Sequence, residues 1–343
     1  MVTISLCMIV KDEEKTLGRC LDCAKSFADE IIIVDTGSID NTIQIAKEYT
    51  DKVYEFKWVD DFAKARNYAF SLAKMDYQMW LDADDIISED NQKAISELKN
   101  TLSTDIDMVY MKYSVSGTEY NRERLIKNIP SIQRWKGTIH ECIAPTGQIL
   151  YADITVTHAR VKDSEKDRNL NIFKKMIERG DKLNAREQYY YARELMWHNR
   201  KDEAVALMES ILKRNDVFIE NKITACSDLY KMTKNVKFLY KSFETDSPRA
   251  EICYDLGNYY QSTKEYQRAI WWYEAALRCT PSALGFNVKD CYDFLPYLQL
   301  CVCYDRLGDK QRAKAYHLKS AAIKPQDPAV LFNNNYFEKL SGI

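Results

Sequence analysis

Nothing in this sequence concentrates charge of one sign. Lys plus Arg total 49 and Asp plus Glu total 51, a formal net charge of −2. That balance leaves no electrostatic footprint for a nucleic-acid partner. No apolar run approaches the roughly 20 residues needed to span a bilayer. The apolar stretch over residues 2–10 has no basic leader and runs straight into Lys11-Asp12-Glu13-Glu14, so it reads as a buried strand and not as a secretory signal. Cys20-x-x-Cys23 and Cys301-x-Cys303 have no matching Cys or His pair at zinc spacing. The scatter of the ten cysteines through apolar stretches predicts reduced thiols in a cytoplasmic protein. Two nucleotide signatures are also missing. No Gly-x-Gly-x-x-Gly follows the first strand, and no Gly-x-x-x-x-Gly-Lys occurs anywhere. The other way to hold a nucleotide is with acids on its base and ribose and a metal on its phosphates.

What is present, up to about residue 110, is an alternation of strand and helix signals. Residues 3–10 are β-branched and apolar at both parities, as a strand buried on both faces should be. A helix is expected over 14–27. A second buried strand covers 30–35 and ends at Thr36-Gly37-Ser38, after which Asp40-Asn41-Thr42 supplies caps for a helix through 49. A short strand follows over 52–58, and a helix with Arg66-Asn67 near its start covers 62–73. A fourth strand over 77–81 delivers Trp80-Leu81-Asp82-Ala83-Asp84-Asp85. The rhythm implies a parallel sheet wound with helices. Such sheets bind ligands beyond the carboxyl ends of their strands. Glu13, Asp35, Asp82 and Asp84 all follow strands, so acids far apart in sequence converge on one edge. Carboxylates at the mouth of a buried strand are costly unless a cation neutralises them. A divalent metal carrying a diphosphate is the usual solution.

From about 106 to 157 the texture changes to shorter strands, over 108–115, 139–144 and 154–157, with a basic, aromatic-dotted connection over 122–136. After about 163 the strands stop and internal repetition begins. Leu256-Gly257-x-x-Tyr260, Ala269, Tyr273, Ala276 and Pro281 match the spacing of a tetratricopeptide unit. A second copy reads Leu300-Cys301-x-x-Tyr304, Ala313, His317 and Pro325. A weaker one runs through Ala192, Ala204 and Met208, and residues 221–240 leave room for a degenerate unit. The expected domains are 1–162, α/β, and 163–343, an all-α repeat domain. The length of 343 residues suits two domains.

Four segments resemble, in order and spacing, the motifs of family 2 glycosyltransferases with the GT-A fold. They are Ser5-Leu6-Cys7-Met8-Ile9-Val10-Lys11-Asp12-Glu13, Ile33-Val34-Asp35-Thr36-Gly37-Ser38-Ile39-Asp40-Asn41-Thr42, Phe62-Ala63-Lys64-Ala65-Arg66-Asn67 and Leu81-Asp82-Ala83-Asp84-Asp85. The resemblance covers roughly residues 1–160. The attached repeats narrow it to a bacterial branch that includes peptide-modifying transferases such as the bacteriocin S-glycosyltransferases. It implies a UDP-sugar donor and a Mn²⁺ or Mg²⁺ ion. Asp35 would accept hydrogen bonds from uracil or ribose; the alternative is a turn-capping aspartate. Glu13 would sit near the uridine or serve as a helix-dipole partner. Asp82 would face the ribose and Asp84 the metal, while Asp85 would only shape the loop. Arg66 would pair with phosphate or with Asp82.

Trp135-Lys136-Gly137-Thr138-Ile139-His140-Glu141 resembles the Trp-x-Gly-x-x-His-Glu segment of the same branch. Inverting transfer needs a base near the acceptor. Glu141 is the first choice and His140 the second, with strand alternation expected to put them on opposite faces. The Trp135 ring would stack on a sugar. His158 would lie near the metal or diphosphate; relatives continue His-x-Gly where this chain has Ala159-Arg160. Gln133-Arg134-Trp135 has the wrong spacing for the Gln-x-x-Arg-Trp motif of processive synthases, and no membrane segment accompanies it.

The sequence thus reads as a metal-dependent, inverting transferase moving a hexose or N-acetylhexosamine from a UDP-sugar to a peptide or protein side chain. The repeats would present the acceptor or join two copies in a homodimer. Tyr189-Tyr190-Tyr191 and Tyr259-Tyr260 would line the binding surface or pack between helices. A saccharide or lipid-linked acceptor is the alternative within this class. A non-catalytic repeat scaffold is the alternative of another class, and the intact Asp35, Asp82, Asp84 and Glu141 argue against it. The loops carry no readable code for the sugar.

Overall fold

The computed structural model describes residues 1–129, 132, 134–161 and 167–340. They form two compact units, Met1–Glu194 and Leu195–Ile343. The junction expected at 162–163 lies outside the described residues, as does Gln133.

The first unit is built on a mixed sheet. β1 (Ile4–Val10) lies between β2 (Glu30–Asp35) and β4 (Tyr77–Met79), parallel to both, and β3 (Val53–Glu55) continues the parallel set beyond β2. On the other side β7 (Thr118–Lys127) runs antiparallel to β4 and to β6 (Met108–Val115). β10 (Ile149–His158) is parallel to β6, and β5 (Asp85–Ile86) is antiparallel to β10. The order is β3-β2-β1-β4-β7-β6-β10-β5. A separate ribbon pairs β8 (Trp135–Lys136) with β9 (Cys142–Ile143). Alternation along β1 feeds both faces: Ile4, Leu6, Met8 and Val10 join a core with Leu17, Leu21 and Phe27, while Cys7 joins Ile32, Val34, Phe70 and Trp80.

Helices α1 (Leu17–Ala24), α2 (Thr42–Lys47), α3 (Phe62–Ser71) and α4 (Glu89–Thr101) complete the nucleotide-fold pattern. Two of them carry side-chain caps: Asp61 accepts from the Lys64 N–H at 2.9 Å, and Ser88 accepts from the Asn91 N–H at 3.4 Å. α5 (Arg168–Glu178) and α6 (Ala185–Trp197) come next, and the boundary between the units falls within α6.

Two expectations change. The sheet is parallel only from β3 to β4; beyond that it is mixed. Residues 122–127, expected in a connection, form the second half of β7. That strand hides from a hydropathy reading because Arg122, Glu123 and Arg124 carry their charges inward, where partners meet them. The strand expected over 139–144 shrinks to β9, because His140 takes a left-handed φ of 53° that ends regular pairing.

The second unit contains α7 (Lys201–Leu212), α8 (Ile219–Thr233), α9 (Lys237–Lys241), α10 (Ala250–Ser262), α11 (Tyr266–Ala276), α12 (Phe294–Arg306), α13 (Lys310–Ile323) and α14 (Pro328–Leu340). Most of the repeat positions read from the sequence lie in its core, while Tyr260 is half-buried and Pro281 and Pro325 are exposed. Leu256, Gly257, Ala269, Tyr273 and Ala276 are buried in the α10–α11 pair, and Leu300, Cys301, Tyr304, Ala313 and His317 in the α12–α13 pair. All ten cysteines are free. Among the described residues no helix is long and apolar enough to cross a membrane.

Candidate active site

The acids that follow the strands separate into two groups. The first sits where β5 meets β10. Register pairs His158 with Asp85 across the two strands. His158 Nδ1 lies 3.2 Å from Asp84 Oδ1 and 3.4 Å from Asp85 Oδ1, and the Tyr113 hydroxyl is 3.0 Å from the same nitrogen. Hydrogen bonds to Asp84 and then Asp85 outweigh the cost of burial and push the His158 imidazole up to about 10. The ligand atoms of Asp84, Asp85 and His158 all lie within 4.8 Å of one another. Two carboxylates and an imidazole converging at that distance fit a divalent cation such as Mn²⁺ or Mg²⁺.

Asp85, expected only to shape its loop, is fully buried and central. It accepts from the Tyr113 hydroxyl at 2.9 Å, from the Asp82 N–H at 3.0 Å and from Arg124 Nη1 at 3.1 Å. Arg124 is itself fully buried, against the rings of Trp80 at 3.8 Å and Tyr113 at 4.4 Å. Neither residue could be assigned from local pattern: the two are 39 residues apart, and only strand pairing between β4, β7, β6 and β10 brings them together.

The second group is built around Arg66 on α3. It bridges two acids, its Nη2 to Asp82 Oδ1 at 2.7 Å and its Nε to Glu141 Oε1 at 2.5 Å. Asp82 is one of the two partners the sequence offered to Arg66, and Arg66 Nη1 is left buried with no hydrogen-bond partner. Burial works against the Asp82 charge, but Arg66, with Arg124 and Arg122 behind it, holds that carboxyl below the usual range. The guanidinium lies 4.9 Å from the rings of both Trp80 and Trp135. Trp135 is only 3% exposed, edge-on to Phe70 and Trp80. It therefore packs in the core under Arg66 and offers no open face to a sugar. Asn67 holds its backbone from both sides, accepting from Trp135 N at 3.0 Å and donating to Trp135 O at 2.9 Å.

His140 and Glu141 do point apart, though not through strand alternation. The left-handed backbone at His140 turns its ring onto Tyr190 of α6, with ring centres 4.0 Å apart. Of the two candidates for the base, Glu141 reaches Arg66, while His140, the second choice, turns to α6.

At the far end of the edge, Asp35 Oδ2 accepts from the N–H groups of Gly37 and Ser38 at 2.9 and 3.0 Å. That is the turn-capping role. Its other oxygen is buried with no hydrogen-bond partner, which leaves an acceptor for a ligand. Glu13 accepts from the Thr16 hydroxyl at 2.6 Å at the start of α1. Nearby, a cavity of about 450 Å³ is lined by Lys11 and Thr36 just past β1 and β2, by Trp58, Asp60 and Phe62 around the start of α3, and by Arg168 and Lys175 from α5.

Residues 5–155 match the family model for glycosyl transferase family 2. The first unit carries a family 2 glycosyltransferase domain. Residues 250–282, which take in α10 and α11, match a tetratricopeptide repeat model. A TPR repeat-containing protein of Synechococcus elongatus is 38% identical over 145 residues, 42% of this chain and 36% of that protein. The SPbeta prophage-derived glycosyltransferase SunS of Bacillus subtilis is 28% identical over 283 residues, 76% of this chain and 66% of that protein. The chain therefore spans between about a third and two thirds of the length of these curated relatives. Among solved structures, S. aureus TarS aligns at 15% identity and a TM-score of 0.38, over 70% of this chain and 54% of that one. Every carboxylate of the site lies inside the matched glycosyltransferase domain and His158 stands just past its margin, whereas α5 and α6 lie well beyond it.

Proposed function

We propose that this chain is a metal-dependent, inverting glycosyltransferase that moves a hexose or N-acetylhexosamine from a UDP-sugar to a peptide or protein side chain. One observation carries the reading: the ligand atoms of Asp84, Asp85 and His158 converge in one cluster, while a carboxylate outside it, Glu141, is held by Arg66. The first binds charge and the second is available to accept a proton. The likeness to a named glycosyltransferase supports the class, and the tetratricopeptide repeat suits a peptide acceptor.

Asp84, Asp85 and His158 would hold the divalent ion, whose positive charge would offset the charge on the departing UDP. Asp35 offers its unpaired oxygen to the uridine. Asp82, fixed by Arg66, faces the ribose. Glu141 takes the proton from the acceptor as its heteroatom bonds to the anomeric carbon. The bond from that carbon to UDP breaks on the opposite face, and UDP leaves with the electron pair. Arg66 keeps Glu141 oriented until the acceptor proton arrives. Tyr113 and Arg124 keep Asp85 and His158 in register.

The test is a screen of UDP-glucose, UDP-galactose and UDP-N-acetylglucosamine with Mn²⁺ against short Ser- and Cys-containing peptides, read by intact mass. A hexose or N-acetylhexosamine adduct formed by wild type and lost in Asp84→Ala supports the reading. An adduct that forms equally well with Asp84→Ala, or in the presence of EDTA, removes the metal from it.

A further inference from the structure

α6 lies outside the matched glycosyltransferase domain, yet one stripe of it is spent on a single residue of that domain. Arg186, Tyr190 and Glu194 are spaced four apart, so they share a helix face. Arg186 donates from Nε and Nη2 to the His140 carbonyl at 3.1 and 3.0 Å. Tyr190 stacks on the His140 imidazole with an interplanar angle of 15°. Glu194 Oε1 lies 3.7 Å from His140 Nε2 and is steadied by Asn169 Nδ2 of α5 at 3.0 Å. The rest of the loop is tied from the opposite side, by Asn67 on Trp135 and by the Phe62 N–H on the Thr138 carbonyl at 3.0 Å.

The backbone needs this grip. Gly137 has φ 95° and His140 φ 53°, so two left-handed residues bend the loop within four positions. For a histidine that conformation is uncommon and persists only where the surroundings impose it. The next residue in the chain is Glu141, whose carboxylate must sit within a fraction of an ångström of the acceptor proton to act as a base. We propose that α6 is a positioning element of the active site, in which Arg186, Tyr190 and Glu194 clamp His140 and thereby aim Glu141. The inference rests on Glu141 being the base. It makes His140 a handle for the helix, and it makes the segment after residue 155 necessary for turnover and not only for acceptor capture.

The experiment uses the full chain with Mn²⁺ and UDP-glucose, read as UDP release, together with amide exchange over residues 137–142. Tyr190→Ala should lower kcat by roughly tenfold to a hundredfold with KM for UDP-glucose unchanged, and should speed exchange in that loop. Tyr190→Phe, which keeps the stacked ring, should restore both. Arg186→Gln, which disturbs only the carbonyl contact, should show the same split more weakly and guards against a Tyr190→Ala variant that does not fold. Glu141→Gln run in parallel separates the two ideas. If it is inactive while Tyr190→Ala and Arg186→Gln keep wild-type kcat and exchange, the clamp is wrong and the base assignment stands. If Glu141→Gln turns over like wild type, both fall.

Discussion

Arg124 shows how a charge is kept in the core. Its guanidinium has no exposure, two aromatic faces against it, the Trp80 carbonyl at 3.0 Å and Asp85 at 3.1 Å. Removing it takes away the fully buried counter-charge of Asp85 and leaves only the partly exposed His158, at 3.4 Å. Loss of one partner from a buried pair costs about 3–5 kcal/mol. Arg124→Met should therefore lower the thermal midpoint of the first unit by many degrees, whereas Arg122→Met, at a more exposed pair, should lower it far less. Glu30 makes the pH prediction. Burial opposes its charge, but hydrogen bonds from Lys52, Ser5 and the Lys74 N–H hold the carboxyl below its ordinary range. A lowered folded value means that the stabilisation is present above the unfolded carboxylate value of about 4.3 and is lost as pH falls through the folded one. Glu30→Gln should accordingly flatten the acid limb of the unfolding curve below about pH 5, measured by denaturant titration at several pH values. At this scale Asp84, Arg66 and Glu141 could be singled out in the sequence because each belongs to a motif with fixed spacing, and His158 on the resemblance alone. It did not disclose Asp85, Tyr113 or Arg124, whose roles come from strand pairing across distant segments. It also misled on Trp135, since a motif tryptophan looks the same whether its ring faces a ligand or the core.

Among the elements, the apolar strands β1, β2 and β4 and the repeat helices were legible from periodicity. β7 was not, since its inward positions are charged, and β9 was cut short by one left-handed residue. The α10–α11 pair offers a direct test of why the repeat signature carries a glycine. A Cβ placed on Gly257 would stand 2.3 Å from Cε1 of Tyr273, whose hydroxyl is itself held by Asn258 at 2.8 Å and Gln261 at 2.6 Å. Alanine gains about 1 kcal/mol of helix propensity over glycine, but overpacking against a pinned ring costs about 1–3 kcal/mol. Gly257→Ala should therefore destabilise the second unit, seen as a lower thermal midpoint, and Tyr273→Leu on the same background should recover part of the loss. An unchanged or raised midpoint in Gly257→Ala would show that the helices separate freely.

For the whole molecule, the division of labour is the claim. One unit carries a family 2 glycosyltransferase domain, the other contains a tetratricopeptide repeat, and the proposed chemistry runs between a metal cluster and one carboxylate within the first. The alternation of elements and the repeat spacing made an α/β part and a helical repeat part readable in advance, but not the boundary between the units, which falls within α6. The acceptor stayed unreadable because acceptor contacts have no fixed spacing in sequence. The most direct measurement is UDP release from UDP-sugars in Mn²⁺, in wild type and Glu141→Gln, with UDP binding followed calorimetrically in both. The account predicts Mn²⁺-dependent release by wild type, and in Glu141→Gln a fall of roughly a hundredfold or more with UDP affinity retained. Equal release by the two proteins, or release indifferent to Mn²⁺, would contradict it.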